Sequence, residues 1–371
     1  MKVLIAPNAF KGTIKAERAA ELIKSSILEK HPDLKIQLCP IADGGDGTCS
    51  LLAKSLDYKE IKTLSLDAAG KPKYGSIFLN KSQGCTMVDI SSVSGIQGLK
   101  PYEIDAQLTS SFGTGKLVVQ AIEQGAQHII LGLGGSATVD MGTGILRALG
   151  YLFIDQNGRE ITVFSPGFLD KIAHIQLPVK KWNLRFTCLC DVNNTFFGDN
   201  GAIPVFGPQK GLQIESHQAF GKSAKRVFEL MQRRSKVDLQ DQPGFGAAGG
   251  IALGLSAFFP VEIKAGSHYF FEQVGIREML KEVDWMITGE GKFDQQSASG
   301  KGSYELLQLA KKMHKKTIMI TSGNGEDAES AGFDEVILLP DLDLGKVHFH
   351  EQAEENLKLA VGEFIARVKI N

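Results

Sequence analysis

Short apolar runs alternate with helical patterns along the chain, which is the rhythm of an α/β protein. Residues 2–6 are an apolar, β-rich run. After a loop, Ala16, Ala19, Ala20, Ile23 and Ile27 recur at helical spacing, with Thr13 as the expected cap. A second apolar run at 36–41 ends in Ala42-Asp43-Gly44-Gly45-Asp46-Gly47-Thr48 and predicts a strand, a turn and a helix over 49–56.

The middle of the chain changes texture. Strands are expected at 61–66, 75–79 and 86–90, a helix at 114–123, and a strand at 128–133 that meets Gly134-Gly135-Ser136-Ala137-Thr138. A helix running on from that turn to about 149, a strand at 185–190 ending at Asp191, and a charged surface helix over 216–234 follow. The C-terminal part returns to clean alternation, with strands at 283–288, 317–321 and 335–339 and helices at 303–312 and 352–368. The N- and C-terminal pieces are expected to share one sheet, with 1–65 plus 283–371 as one domain, 66–282 as an inserted one, and a small-molecule cleft between them.

A chain of 371 residues is long enough for two cores. Its formal charge of −1 and pI near 6.7 provide no basic field for a nucleic acid. No apolar stretch is long enough to span a bilayer, and the N-terminus reads as a first strand rather than a leader, so a cytoplasmic protein without a membrane partner is expected. The five cysteines read as small buried hydrophobes. A homodimer is compatible with the chain.

The functional signal is the clustering of glycine with Asp, Ser and Thr at strand ends. Glycine lets backbone amides approach phosphate oxygens, so Gly132 to Thr138 has the layout of an anion site. The same stretch also parses as G-x-G-x-x-A, with Asp155 as a ribose-binding acid, which is the competing dinucleotide reading. Ser136, Thr138 and Asp140 favour a triphosphate. A Walker loop is excluded, because Gly113-Thr114-Gly115-Lys116 lacks the earlier glycine and continues with Leu117.

Asp43 and Asp46 in a double-glycine turn can hold magnesium, against the plainer reading of an Asp-Gly turn. Asp191, Glu290 and Asp294 follow predicted strands, as does Lys11, whose ammonium can attract a carboxylate or phosphate. Gly246-Ala247-Ala248-Gly249-Gly250 reads as packing at the alanines and as ligand contact at Gly249 and Gly250. Lys210 in Gly-Pro-Gln-Lys-Gly is a further anion-binding candidate, or a surface turn.

Taken in order, Ala6-Pro7-Asn8-Ala9-Phe10-Lys11-Gly12, 42–48, 134–138, Cys190-Asp191-Val192, 205–211, 246–250 and Ile287-Thr288-Gly289-Glu290-Gly291 resemble the bacterial glycerate kinase family, end to end. This class is distinct from the sugar-kinase-like and P-loop glycerate kinases. The resemblance implies a Rossmann-like parallel-sheet lobe from the N- and C-terminal parts and a family-specific inserted α/β lobe. It also implies transfer of the ATP γ-phosphoryl group to D-glycerate with Mg2+, usually giving 2-phosphoglycerate rather than the 3-isomer.

On this reading Asp191 accepts the proton of the attacking hydroxyl and Lys11 steadies anionic charge. Gly134, Gly135, Ser136, Ala137, Thr138, Lys210, Gly249 and Gly250 contact substrate or phosphate, while Asp43, Glu290 and Asp294 place the metal. The chain departs from the family pattern at Asn8, where Asp is common, at Asp46 for Glu, at Val139 for Asn and at Lys292-Phe293 for Arg-Leu. Asn8 removes a carboxylate, which keeps a non-catalytic organic-acid sensor in play beside a nicotinamide-dependent oxidoreductase.

Overall fold

The computed structural model describes residues 1–10, 12–294, 297, 302–323, 325–343, 345 and 347–367. The strands, in chain order, are β1 (Lys2–Ile5), β2 (Lys35–Leu38), β3 (Lys59–Leu66), β4 (Pro72–Asn80) and β5 (Cys85–Asp89). They continue with β6 (His128–Gly132), β7 (Leu152–Ile154), β8 (His174–Gln176), β9 (Arg185–Cys190) and β10 (Val261–Ala265). The last three are β11 (Trp285–Lys292), β12 (Lys316–Ser322) and β13 (Glu335–Leu338).

Internal contacts divide the chain into two units, 1–43 with 267–371 and 44–266. The first contains a five-stranded sheet in the order β13-β12-β11-β1-β2, parallel throughout. The N- and C-terminal pieces therefore do share a sheet. β1 and β12 read as almost unbroken apolar runs because helices cover both faces of such a sheet. Val3, Ile5, Ile23, Ile318, Ile320 and Leu357 form its core. The helix Ala16–Lys30 packs on the helix Phe349–Arg367, where the Arg18 guanidinium grips Glu354. Thr13 does not cap the first helix; its hydroxyl donates to the Phe10 carbonyl.

The second unit holds a six-stranded sheet in the order β10-β9-β6-β5-β4-β3, with β4 and β3 antiparallel at one edge. A separate β7–β8 hairpin lies apart from it in the hydrogen-bonding pattern. The division falls at 43/44 and 266/267 rather than at the expected 65/66 and 282/283. β3 pairs residue for residue with β4, and the Asp89 carboxylate at the end of β5 accepts from the Cys49 and Ser50 amides of the helix Thr48–Ser55. Those bonds tie 44–65 to the second sheet. On the other side, His268 reaches Glu305 within the first unit.

Two elements differ from the pattern in the sequence. No helix follows Thr138 directly; the chain stays irregular until the helix Thr143–Ala148. β11 runs past Thr288 to Lys292, with its register to β12 shifting between Gly289 and Lys292. The helix His217–Ser235 is charged outside but buries Phe220, Ala224, Val227, Phe228 and Met231 on one face. All five cysteines are free and buried, and burial raises the thiols, Cys39 to about 12 and Cys85 to about 11, so none serves as a thiolate. Among the described residues no helix is long and apolar enough to cross a membrane.

Candidate active site

In the first unit, β1 is flanked by β2 on one side and β11 on the other, so the direction of winding reverses there. Ligands of open parallel sheets bind outside the strand ends at such a point. Asn8, just beyond β1, is buried; its amide nitrogen Nδ2 donates to Asp43 Oδ2 at 3.1 Å, and its backbone N–H donates to the Gly289 carbonyl at 2.8 Å. Asp43 and Glu290 are also buried. Glu290 sits on the strand, not in a turn after it, and the register shift is the local irregularity that sets its direction. Lys11 lies outside the described residues.

Magnesium is commonly held by one or two carboxylates together with phosphate oxygens and waters, not by a full protein cage. Asp43 and Glu290 suit that donor chemistry, with the Asn8 amide orienting one Asp43 oxygen. Asp294 is not part of a three-ligand set with them: among the described residues no three His, Cys, Asp or Glu side chains gather as a metal site. The Asp294 carboxylate instead accepts from the Ser297 amide at 2.9 Å and closes its own turn.

The second unit carries the loop that follows β6. Here the Gly135 carbonyl accepts from Ile96 N and the Ala137 amide donates to the Ser94 carbonyl, pinning the loop to the neighbouring chain. Thr109 Oγ1 donates to the Ala137 carbonyl. The backbone N–H groups of Gly134, Gly135 and Ser136 donate to no acceptor among the described residues. Three consecutive amides are thus left open, with Gly135 at φ +72°.

Lys210 reaches the same loop from the turn Pro208–Lys210. Its ammonium donates to Ser136 Oγ at 2.7 Å and to the Thr138 carbonyl at 3.0 Å, and the residue is only 4% exposed. Burial lowers its pKa to about 7, with the Asp140 charge acting in the opposite sense. The surface-turn alternative for Lys210 is thereby set aside. Thr138 is fully buried and its hydroxyl has no partner among the described residues.

Asp140 explains why the helix starts late. Its carboxylate accepts from the amides of Ser111, Gly142 and Gly144 and from Ser111 Oγ, and so occupies the N-terminus of Thr143–Ala148. That helix end is closed to a phosphate. Burial still raises the Asp140 pKa despite these donors. The sequence drew attention to the residue as polar, and the D-x-G-T-G spacing is the signal that it caps a helix.

Gly134 packs so closely that an added Cβ would strike the Gly45 backbone. Gly249 and Gly250 likewise have packing reasons to be glycine. Both hold positive φ, and a Cβ would meet the Thr138 carbonyl at Gly249 and the Phe196 ring at Gly250. Asp191, beyond β9, is exposed; its Oδ1 accepts from the Gly266 amide at 2.9 Å, and its carboxylate lies against Gly44, the residue that follows Asp43 in the chain.

The dinucleotide reading needs Asp155 on a strand beside β6. The neighbours of β6 are β5 and β9, whereas Asp155 follows β7, which among the described strands pairs only with β8, and accepts from the Asn157 and Arg159 amides of its own turn. Those bonds hold its pKa low. No ribose partner is placed beside the glycine loop by that residue.

With this geometry in view, the comparison with known proteins is decisive: residues 3–369 match the model of the glycerate kinase family. The chain belongs to the glycerate kinase family. Over 330 residues, 88% of this chain and 86% of the relative, it is 34% identical to the glycerate 2-kinase of Escherichia coli K12. It is 33% identical to the glycerate kinase of Haemophilus influenzae, covering 99% of this chain and 98% of that one. A crystal structure from Salmonella typhimurium LT2, of a protein proposed to be a glycerate kinase 2, superposes with a TM-score of 0.82 at 29% identity, covering 99% and 97% of the two chains. As a glycerate kinase family member, this protein is a kinase of the mixed α/β class, and its small polar and anionic loops are to be read in terms of phosphoryl transfer.

Proposed function

We propose that this protein transfers the γ-phosphoryl group of ATP to D-glycerate in a magnesium-dependent reaction, giving 2-phosphoglycerate. The observation that carries the reading is the cradle of open amides at Gly134, Gly135 and Ser136, with the buried Lys210 ammonium fixed to Ser136 Oγ. Phosphoryl transfer asks chiefly for positioning and neutralisation of negative charge, and preorganised donors in a buried site supply both. The similarity to a protein named glycerate 2-kinase supports the 2-isomer.

In this mechanism Asp191 accepts the proton of the attacking hydroxyl. Its exposure keeps it within reach of substrate, and the Gly266 amide donates to Oδ1 and fixes the carboxylate's orientation. Gly134, Gly135 and Ser136 hold phosphate oxygens through N–H groups, and Lys210 adds charge; Ala137 and Thr138 shape the loop through their buried bonds. Lys11 is proposed to steady anionic charge. Asp43 and Glu290 would hold magnesium, which would supply positive charge for phosphoryl transfer.

A coupled ADP-release assay with ATP, MgCl2 and D-glycerate tests the reading, with tartronate and lactate as rival acceptors and an NADH titration as control. Turnover that depends on D-glycerate, without NADH binding, is the expected outcome. ATP binding with no turnover on any acid would point to the sensor reading instead, and NADH binding would revive the oxidoreductase.

A further inference from the structure

Within the second unit lies a cavity of about 470 Å3 to which the site described above assigns no ligand. Its walls come from residues 106–110, 139–147, 163–170 and 216–226, and they are mainly apolar, with Val139, Phe164, Phe168 and Phe220 among them. A three-carbon acid is too small and too polar to fill such a space. Ligand pockets of roughly 300–1,000 Å3 with aromatic walls and a few fixed polar groups suit a flat, drug-sized body.

Two further observations point to a ligand. Arg147 lines the cavity with its side chain only 9% exposed; one nitrogen pairs with Glu160, while Nη1 is buried without a partner among the described residues. A buried guanidinium sets positive charge in the wall of the cavity. Phe164 holds φ +60°, a costly conformation for an aromatic residue, and its ring rests on Gly70. The strain keeps an aromatic wall in place where an ordinary turn residue would relieve it.

The cavity also shares its wall with the anion cradle. Val139 and Asp140 line it, one and two residues beyond Thr138, whose carbonyl accepts from Lys210, and Thr109 lines it while bonding to the Ala137 carbonyl.

We propose that this cavity receives the adenine base and ribose of the nucleotide, with its phosphates running along the loop towards Gly134–Ser136 and Lys210. The inference rests on the kinase reading and adds to it where the nucleotide lies. Aromatic faces stack the base.

The test uses the full-length protein and 8-azido-ATP with peptide mapping after illumination. Labelling within 106–110, 163–170 or 216–226, suppressed by excess ATP and by adenosine, is expected. In parallel, Ala219→Trp, at an exposed wall position on the helix His217–Ser235, should raise the KM for ATP about tenfold or more while the KM for D-glycerate stays within about twofold. Val163→Trp fills the same cavity from the opposite segment and should behave alike. ATP-suppressible labelling confined to other segments, or an unchanged ATP KM in both folded variants of an active enzyme, overturns the inference alone. A wild-type protein that neither binds ATP nor releases ADP overturns the kinase reading and this inference together.

Discussion

The two units place opposite chemistry at the ends of similar parallel strands. In the first, the groups beyond β1 and β2 and within β11 are an amide and two carboxylates, Asn8, Asp43 and Glu290. In the second, the loop after β6 presents open N–H groups and a buried ammonium. A parallel sheet dictates where side chains gather but not their sign, which the turn residues choose. On the proposed reading the acids would hold a cation, and the amides with lysine would hold an anion. Asp191, also in the second unit, is an exposed acid beside Gly44.

The contrast can be broken first at Asp191. Asp191→Asn should lower kcat by a factor on the order of a hundred or more with little change in ATP binding, because an amide cannot take the hydroxyl proton. Steady-state kinetics with both substrates varied reads this directly, and near-normal kcat removes Asp191 from the role of base.

Lys210→Met removes the charge of the anion cradle. A rise of roughly tenfold or more in the KM for ATP is expected. The pH dependence sharpens the point. With a pKa near 7 in the empty site, the ammonium is present below that pH and lost above it, so ATP binding by the wild type should weaken from pH 6 to 8.5 more steeply than in the Met variant. Stability runs the other way. The unfolded lysine keeps its proton to about pH 10.4, so between about 7 and 10.4 the unfolded state binds more protons and the folded protein gains stability as pH rises. Calorimetric ATP titrations and thermal melts across this range separate the two effects.

A purely structural change gives the next effect. Gly249→Ala puts a Cβ against the Thr138 carbonyl at a positive φ and should cost about 3 kcal/mol, or a Tm lower by roughly 6–12 °C. If Gly249 served mainly to admit a ligand, the melt would be nearly unchanged and only substrate binding would suffer.

The smallest effect is expected at the acidic end. Asn8→Asp restores the residue common in the family but sets a carboxylate beside Asp43 in place of an amide donor. Apo stability should fall by about 1 kcal/mol through like-charge repulsion, and MgCl2 should raise the melting temperature more than it does for the wild type. Equal responses to MgCl2 would argue against a cation at Asp43.

Much of the fold was legible because buried parallel strands are short apolar runs ended by glycine and acid, as at 185–190 and 317–321. The glycine loop at 134–138 was legible for the same reason, and its first three residues carry the open amides. What the sequence hid depends on distant partners. Lys210 looks like a surface lysine in a Gly-Pro turn until the loop at Ser136 and Thr138 closes over it. Gly249 and Gly250 look available to a ligand until the chain at Thr138 and the Phe196 ring are seen to fill the space. Asp140 also holds the distant Ser111 through its amide and hydroxyl, which no local pattern reveals. The reach of contacts also explains the shifted division of the chain, since β3 belongs with β4 through pairing and not through composition.

The most direct test of the account is phosphorus NMR of the products formed from ATP, MgCl2 and D-glycerate. The account predicts ADP and an equal amount of a phosphomonoester whose signal is split into a doublet by the single proton on C2. A triplet would keep the kinase and move the phosphate to C3; ADP accompanied only by inorganic phosphate, or no ADP at all with active controls, would contradict the account.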